Sequence, residues 1–261
     1  MTTGQTRSTG TFAPEPGAAP LPRQVLAQAR MEARLMLRNG EQLLLAVVIP
    51  VIVLVGGVAG DDRVGMSLDH AAIDVFAPGV LALAVMSTAF TSLAIATGFE
   101  RRYGVIKRLG ASPLPRSGLL AGKIGALLLV EAMQIVVLSA VALALDWDPQ
   151  PDVLGAVLAV VAGTAAFASL GLFLAGVLRA EATLAAANLV YLLLMAGGAV
   201  VLPASAYGAF GSVVHWLPSG ALGGAMRSAL IDGHTAWTDL AVLVGWAVLG
   251  TVLTARTFKW E

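Results

Sequence analysis

The sequence predicts an all-α polytopic membrane protein. It has six transmembrane helices, an N-terminal interfacial amphipathic helix, a short cytoplasmic helix between spans 2 and 3, and re-entrant helices on the outer side before span 6. Three observations carry this reading. Of 261 residues, 57% are hydrophobic and 12% charged, where a soluble domain carries about 25% charged residues. Mean hydropathy is +0.83. Apolar runs long enough to cross a hydrocarbon core of about 30 Å recur along the chain, and the basic residues gather in alternate loops.

Residues 1–22 are rich in Thr, Gly, Ala and Pro and contain no apolar run. They lack the apolar core of a signal peptide and read as a disordered cytoplasmic tail. In residues 23–39, Arg23, Arg30, Arg34 and Arg38 share one helical stripe, and Val25, Leu26, Ala29, Ala33, Met36 and Leu37 gather opposite. This is a basic helix lying in the membrane surface; an ordinary soluble amphipathic helix has the same pattern, but here an apolar span follows at once. Spans are expected at about 42–60, 75–99, 117–145, 153–178, 182–202 and 237–255. The third carries Lys123 near its start and Glu131 inside; Trp237 and Trp260 flank the sixth, where interfacial aromatics belong.

Charge sets the orientation. Of the 16 Lys and Arg residues, all but Arg63 and Arg227 fall before span 1, in the loops after spans 2 and 4, at the start of span 3, or after span 6. The positive-inside rule then puts both termini in the cytoplasm. The opposite loops are acidic, with Asp61, Asp62, Asp69 and Asp74, then Asp146, Asp148 and Asp152. Residues 203–233, with Pro203, Pro218, His215, Trp216, Arg227 and several glycines, are too interrupted to span twice. They read as a re-entrant or interfacial pair of short helices that protein must cover, or as a simple amphipathic outer loop.

With no cysteines, disulfides, thiolate metal sites and Cys nucleophiles are excluded. His70, His215 and His234 have no ligand-like spacing, so no metal site is expected, and zero net charge gives no pointer to nucleic acid. Glu131 is the one acidic residue deep in a span, and Gln134 shares its helix face. Such a carboxylate contacts substrate, carries a proton, or bonds between helices. Asn188 and Tyr191 in span 5 join them as candidates for a substrate path; polar groups of that kind also serve as helix-packing contacts.

The loop Glu100-Arg101-Arg102-Tyr103-Gly104-Val105-Ile106-Lys107-Arg108-Leu109 is too charged for the hydrocarbon core. Its helix-like run from Arg101 to Leu109 ends at Gly110, Pro113 and Pro115. The loop either anchors topology or, through its interleaved Tyr103, Val105, Ile106 and Leu109, docks to a protein or membrane surface.

That loop, followed by Pro113 and Gly122-Lys123, resembles the region between spans 2 and 3 of ABC-2-type transporter permeases. Leu217-Pro218, Arg227 and Gly233 are similar to the family's LP…R…G segment before the last span. The resemblance extends over nearly all of the chain beyond residue 22. It implies a coupling helix seated in a groove of a separate ATP-binding subunit, with Glu100, Arg101, Arg102, Tyr103, Gly104, Lys107, Arg108 and Leu109 at that interface and the N-terminal helix beside it. It implies a working unit of two permease chains, identical or related, and two ATPase chains in a bacterial cytoplasmic membrane, exporting a drug or lipid-like compound. ATP and Mg would be bound by the partner. The chain itself is expected not to be an enzyme. Its nearest approach to a phosphate-binding loop, Ser117-Gly118-Leu119-Leu120-Ala121-Gly122-Lys123-Ile124, lacks the first Gly and the hydroxyl residue that the GxxxxGK[ST] pattern needs. An ion-coupled secondary transporter using Glu131, or a non-transporting assembly subunit, are the alternatives.

Overall fold

A computed structural model describes residues 19–40, 44–64, 71–110 and 114–257. These residues form helices and turns, with no strand among them. In chain order the helices are α1 (Leu21–Arg38), α2 (Ile49–Val64), α3 (Ala72–Arg102), α4 (Val105–Gly110), α5 (Arg116–Leu143), α6 (Val153–Val177), α7 (Ala180–Gly197), α8 (Gly211–Val214), α9 (Pro218–Leu230) and α10 (Trp237–Thr257). A π-helical turn, Leu44–Val48, leads into α2, and a second, Ser87–Ser92, interrupts α3. The expected tail lies outside the described residues except for 19–22, where Leu21 and Pro22 already open α1.

Among the described residues, five helices (α3, α5, α6, α7 and α10) are long and apolar enough to cross a membrane; Ala46–Gly60 is apolar but shorter. Six full-length spans are expected, and the first differs in length. Asp61 and Asp62 end its apolar stretch, and residues 41–43 lie outside the described residues. The fifth also differs. The expected span 182–202 is helical only to Gly197, and the chain then unwinds. Gly198 closes the helix, and Ala199 takes a positive φ of 53°, a conformation costly for a residue with a Cβ.

α3 is the centre of the bundle. Every residue from Val75 to Ala94 is buried, and α2, α5, α6, α7 and α9 all pack around it. It is apolar on all sides because it has no solvent or lipid face to serve. Around it the helices approach through small residues, as expected where lipid removes the hydrophobic drive for helix association. α1 lies along α5, burying Ala29 and Ala33; a Cβ on Gly125 would stand 3.1 Å from the Ala29 methyl. α10 lies along α6, where the Thr254 hydroxyl donates to the Ser169 carbonyl at 2.9 Å. Pro218 starts α9 at a position where its missing N–H costs nothing. Nearly all of α9 is then buried against α3, α6 and α10.

Candidate functional site

Three groups of residues stand out: one at the end of α3 and α4, one in mid-bundle, and one at the opposite end.

At the first, the expected helix from Arg101 to Leu109 is split. α3 runs on through Arg102, Gly104 breaks the chain with φ +67°, and α4 starts at Val105. Only glycine adopts that φ without strain. Glu100, Arg101 and Arg102 therefore belong to the last turn of a long helix, and their charged groups are engaged within the chain. The Lys123 ammonium, on α5, lies 2.7 Å from the Glu100 carboxylate and 3.4 Å from that of Glu32 on α1. Burial pushes the Glu32 carboxyl up from its ordinary range, against the opposing pull of Lys123 and the Gln28 amide. Arg101 donates to the carbonyl of Ala175 in the last turn of α6. Arg102 pairs with Glu181 at the start of α7. On either side of the break, side chains turn outward at Tyr103, Lys107 and Arg108. Tyr103 is 61% exposed, its ring stacked on Phe99 at 6.2 Å. Lys107 and Arg108 are exposed, Leu109 is half-buried, and the Arg108 guanidinium donates to the Tyr103 carbonyl at 3.0 Å. Pro113 lies outside the described residues.

In mid-bundle, Glu131 and Gln134 are almost fully buried within this one chain. Thr164 of α6 donates to Glu131 at 2.7 Å, and Thr88 of α3 donates to the Gln134 side-chain oxygen at 2.9 Å. The Gln134 amide donates to the carbonyl of Ala46 at 2.5 Å. Thr88 and Ala46 both lie in π-helical turns, and such wide turns often occur at functional sites. One carboxylate oxygen of Glu131 has no hydrogen-bond partner. Asn188 and Tyr191 are not part of this network. They lie on α7, which packs on α3 and α6; Asn188 is half-buried and Tyr191 buried. An apolar cavity of about 480 Å³ opens between α5, α6 and α10, with Leu128, Val161, Leu172 and Thr251 among its walls. Thr164 reaches it, bringing the Glu131 network to its edge.

At the opposite end, the Arg227 guanidinium gathers three carbonyls of the unwound stretch after α7: Ala199 at 3.0 Å, Val200 at 3.1 Å and Val201 at 3.3 Å. Gly79 of α3 and Gly223 of α9 let that backbone approach, since a Cβ on either would fall inside van der Waals contact with it. Nearby, Thr235 donates to Asp152 at 2.5 Å. This bond holds the Asp152 carboxyl below its usual range, with help from the first backbone N–H groups of α6.

Sequence reading singled out Glu131, Gln134 and Arg227 but not their partners Thr88, Thr164 and the 199–201 carbonyls. It also passed over Glu32 and Glu181. The usable signal there was opposite charge: Glu32 is the one acid of α1, among four arginines, and Glu181 opens α7 two residues after Arg179.

Such a bundle of long apolar helices, with small-residue contacts and a buried polar network linking its helices, is that of a multi-pass membrane protein. Residues 67–256 match the family described as ABC-2 family transporter protein, and the chain belongs to that family. Comparison with curated proteins returns no match.

Proposed function

We propose that the chain is the permease subunit of an ATP-driven exporter in a bacterial cytoplasmic membrane, with both termini in the cytoplasm. It couples through α4 to a separate ATP-binding subunit and works as two permease chains with two ATPase chains. The observation that carries this is α4 itself. It is a six-residue helix set off by Gly104, with Lys107 and Arg108 exposed on it and Tyr103 exposed just before it. A solvated topological anchor has no use for an exposed tyrosine, whereas aromatic and Arg side chains, here Tyr103 and Arg108, are the usual anchors of protein interfaces. Family membership supports an ATP-binding partner, and ATP and Mg would be held there. The charge distribution supports the orientation. The apolar cavity between α5, α6 and α10, with the Thr164–Glu131 pair at its edge, supports an amphiphilic or lipid-like substrate.

The test is co-purification from native membranes in mild detergent with a tag on the C-terminus, comparing wild type with Tyr103→Ala/Lys107→Glu at matched membrane levels. The wild type brings down an ATP-binding subunit and the double variant loses it. If wild type brings down none under several detergents and crosslinkers, the ATP-driven reading fails. Ion-coupled transport through Glu131, whose buried carboxylate has one unpartnered oxygen, then takes its place.

A further inference from the structure

Among the described residues, α4 packs chiefly on the last turn of α3, so a displacement of α4 enters the bundle through that turn. Successive residues of a helix point about 100° apart, and here three successive residues hold three different neighbours. Glu100 holds Lys123 of α5, and through it Glu32 of α1. Arg101 holds the Ala175 carbonyl of α6. Arg102 holds Glu181 of α7.

We propose that Glu100-Arg101-Arg102 is a distributing joint. These are positioning residues that pass one motion of α4 to α5, α6 and α7 at once, and they do not touch the ATP-binding subunit. This rests on the reading that α4 docks such a subunit. The three ties are unequal. Arg102 and Glu181 have side chains 50% and 62% exposed, and exposed pairs are weak. Lys123 and its two acids are only 12–23% exposed. Arg101 grips the carbonyl end of α6, where a cation is also favoured by the helix dipole. α6 in turn carries Thr164, bound to Glu131, and lies along α10. The Arg101 branch thus reaches the Glu131 network through α6. A cleft of about 400 Å³ lined by Gly98, Arg101, Arg102 and residues 178–181 gives the side chains room to move without breaking the packing.

The chain has no cysteine, so introduced pairs report without background from this chain. Val136→Cys on α5 and Val157→Cys on α6, at 69% and 53% exposure, would carry spin labels in the complex purified with its ATPase in lipid nanodiscs. Distances are measured without nucleotide and after trapping with ATP and vanadate. The wild-type background gives a nucleotide-dependent change. Arg101→Met retains the ATPase at wild-type level and loses most of the distance change; Arg101→Lys, which keeps the charge and one donor, recovers part of it; Arg102→Gln stays near wild type. Full distance change in Arg101→Met overturns the joint. Loss of the ATPase in Arg101→Met, with normal folding by size-exclusion profile, also overturns it, because Arg101 is then a docking residue. Absence of any ATPase from the wild type overturns the docking reading and the joint with it.

Discussion

Replacing Arg227 by Met should loosen the end of the bundle where α7 unwinds. The guanidinium satisfies three carbonyls, at 3.0, 3.1 and 3.3 Å, in a stretch wedged between Gly79 and Gly223. Hydrogen bonds to charged groups contribute about 1.5–3 kcal/mol each in soluble proteins. Those between helices in membranes average nearer ~0.6 kcal/mol, because the lipid-embedded unfolded state also finds partners. Removing Arg227 also removes the cost of desolvating its charge. The net loss is about 2–4 kcal/mol, which for a chain of this size lowers Tm by roughly 5–12 °C. Thermal unfolding in detergent, followed by monodisperse size-exclusion signal, measures it. Arg227→Lys keeps the charge but cannot span three carbonyls, and should recover less than half of the loss. A Met variant that melts within about 1 °C of wild type would refute the argument that this arginine holds the unwound segment.

Gln134→Leu keeps side-chain volume but strips the Thr88 hydroxyl and the Ala46 carbonyl of their shared partner; it should cost about 1–1.5 kcal/mol and lower Tm by a few degrees in the same assay. Asp152 has its carboxyl held low in the folded state by Thr235. Its contribution is therefore fully present above the ordinary Asp range of about 4 and is lost as pH falls through the lower folded value. Wild type should lose stability over that acid interval, whereas Asp152→Asn should be flatter there and less stable at neutral pH; parallel Tm profiles from pH 3 to 7 would contradict the assignment.

The sequence reading and the structure part company where partners are distant. Hydropathy alone located the apolar helices, because a lipid-spanning helix must be apolar for about 20 residues whatever it touches. It ran span 5 too far because residues 198–202 are as apolar as the helix before them. They unwind between Gly198 and Pro203, where Arg227, from a later helix, takes their carbonyls. Glu131 was visible by scarcity, a single acid in an uncharged field. Arg101 was legible as a residue of the charged loop, but its direction was not. Its acceptor is a backbone carbonyl 74 positions away, which no side-chain pattern encodes. The division at Gly104 was within reach, since a glycine after charged helix residues is a common helix stop.

The wide turn at Ser87–Ser92 has a geometric consequence for everything beyond it. A π-helical turn accommodates one residue more than the α-helix around it. If that stretch rewound as ordinary α-helix, the far part of α3 would advance by one residue's step, about 100° of rotation and 1.5 Å of rise. Glu100, Arg101 and Arg102 stand about 100° apart themselves, so each would swing to a bearing now held by its neighbour, and an arginine would meet Lys123 or an acid would meet the carbonyl end of α6. The threading of one helix thus sets the azimuth of three charges some ten residues farther on, much as a shim between two halves of a shaft decides which key faces which slot.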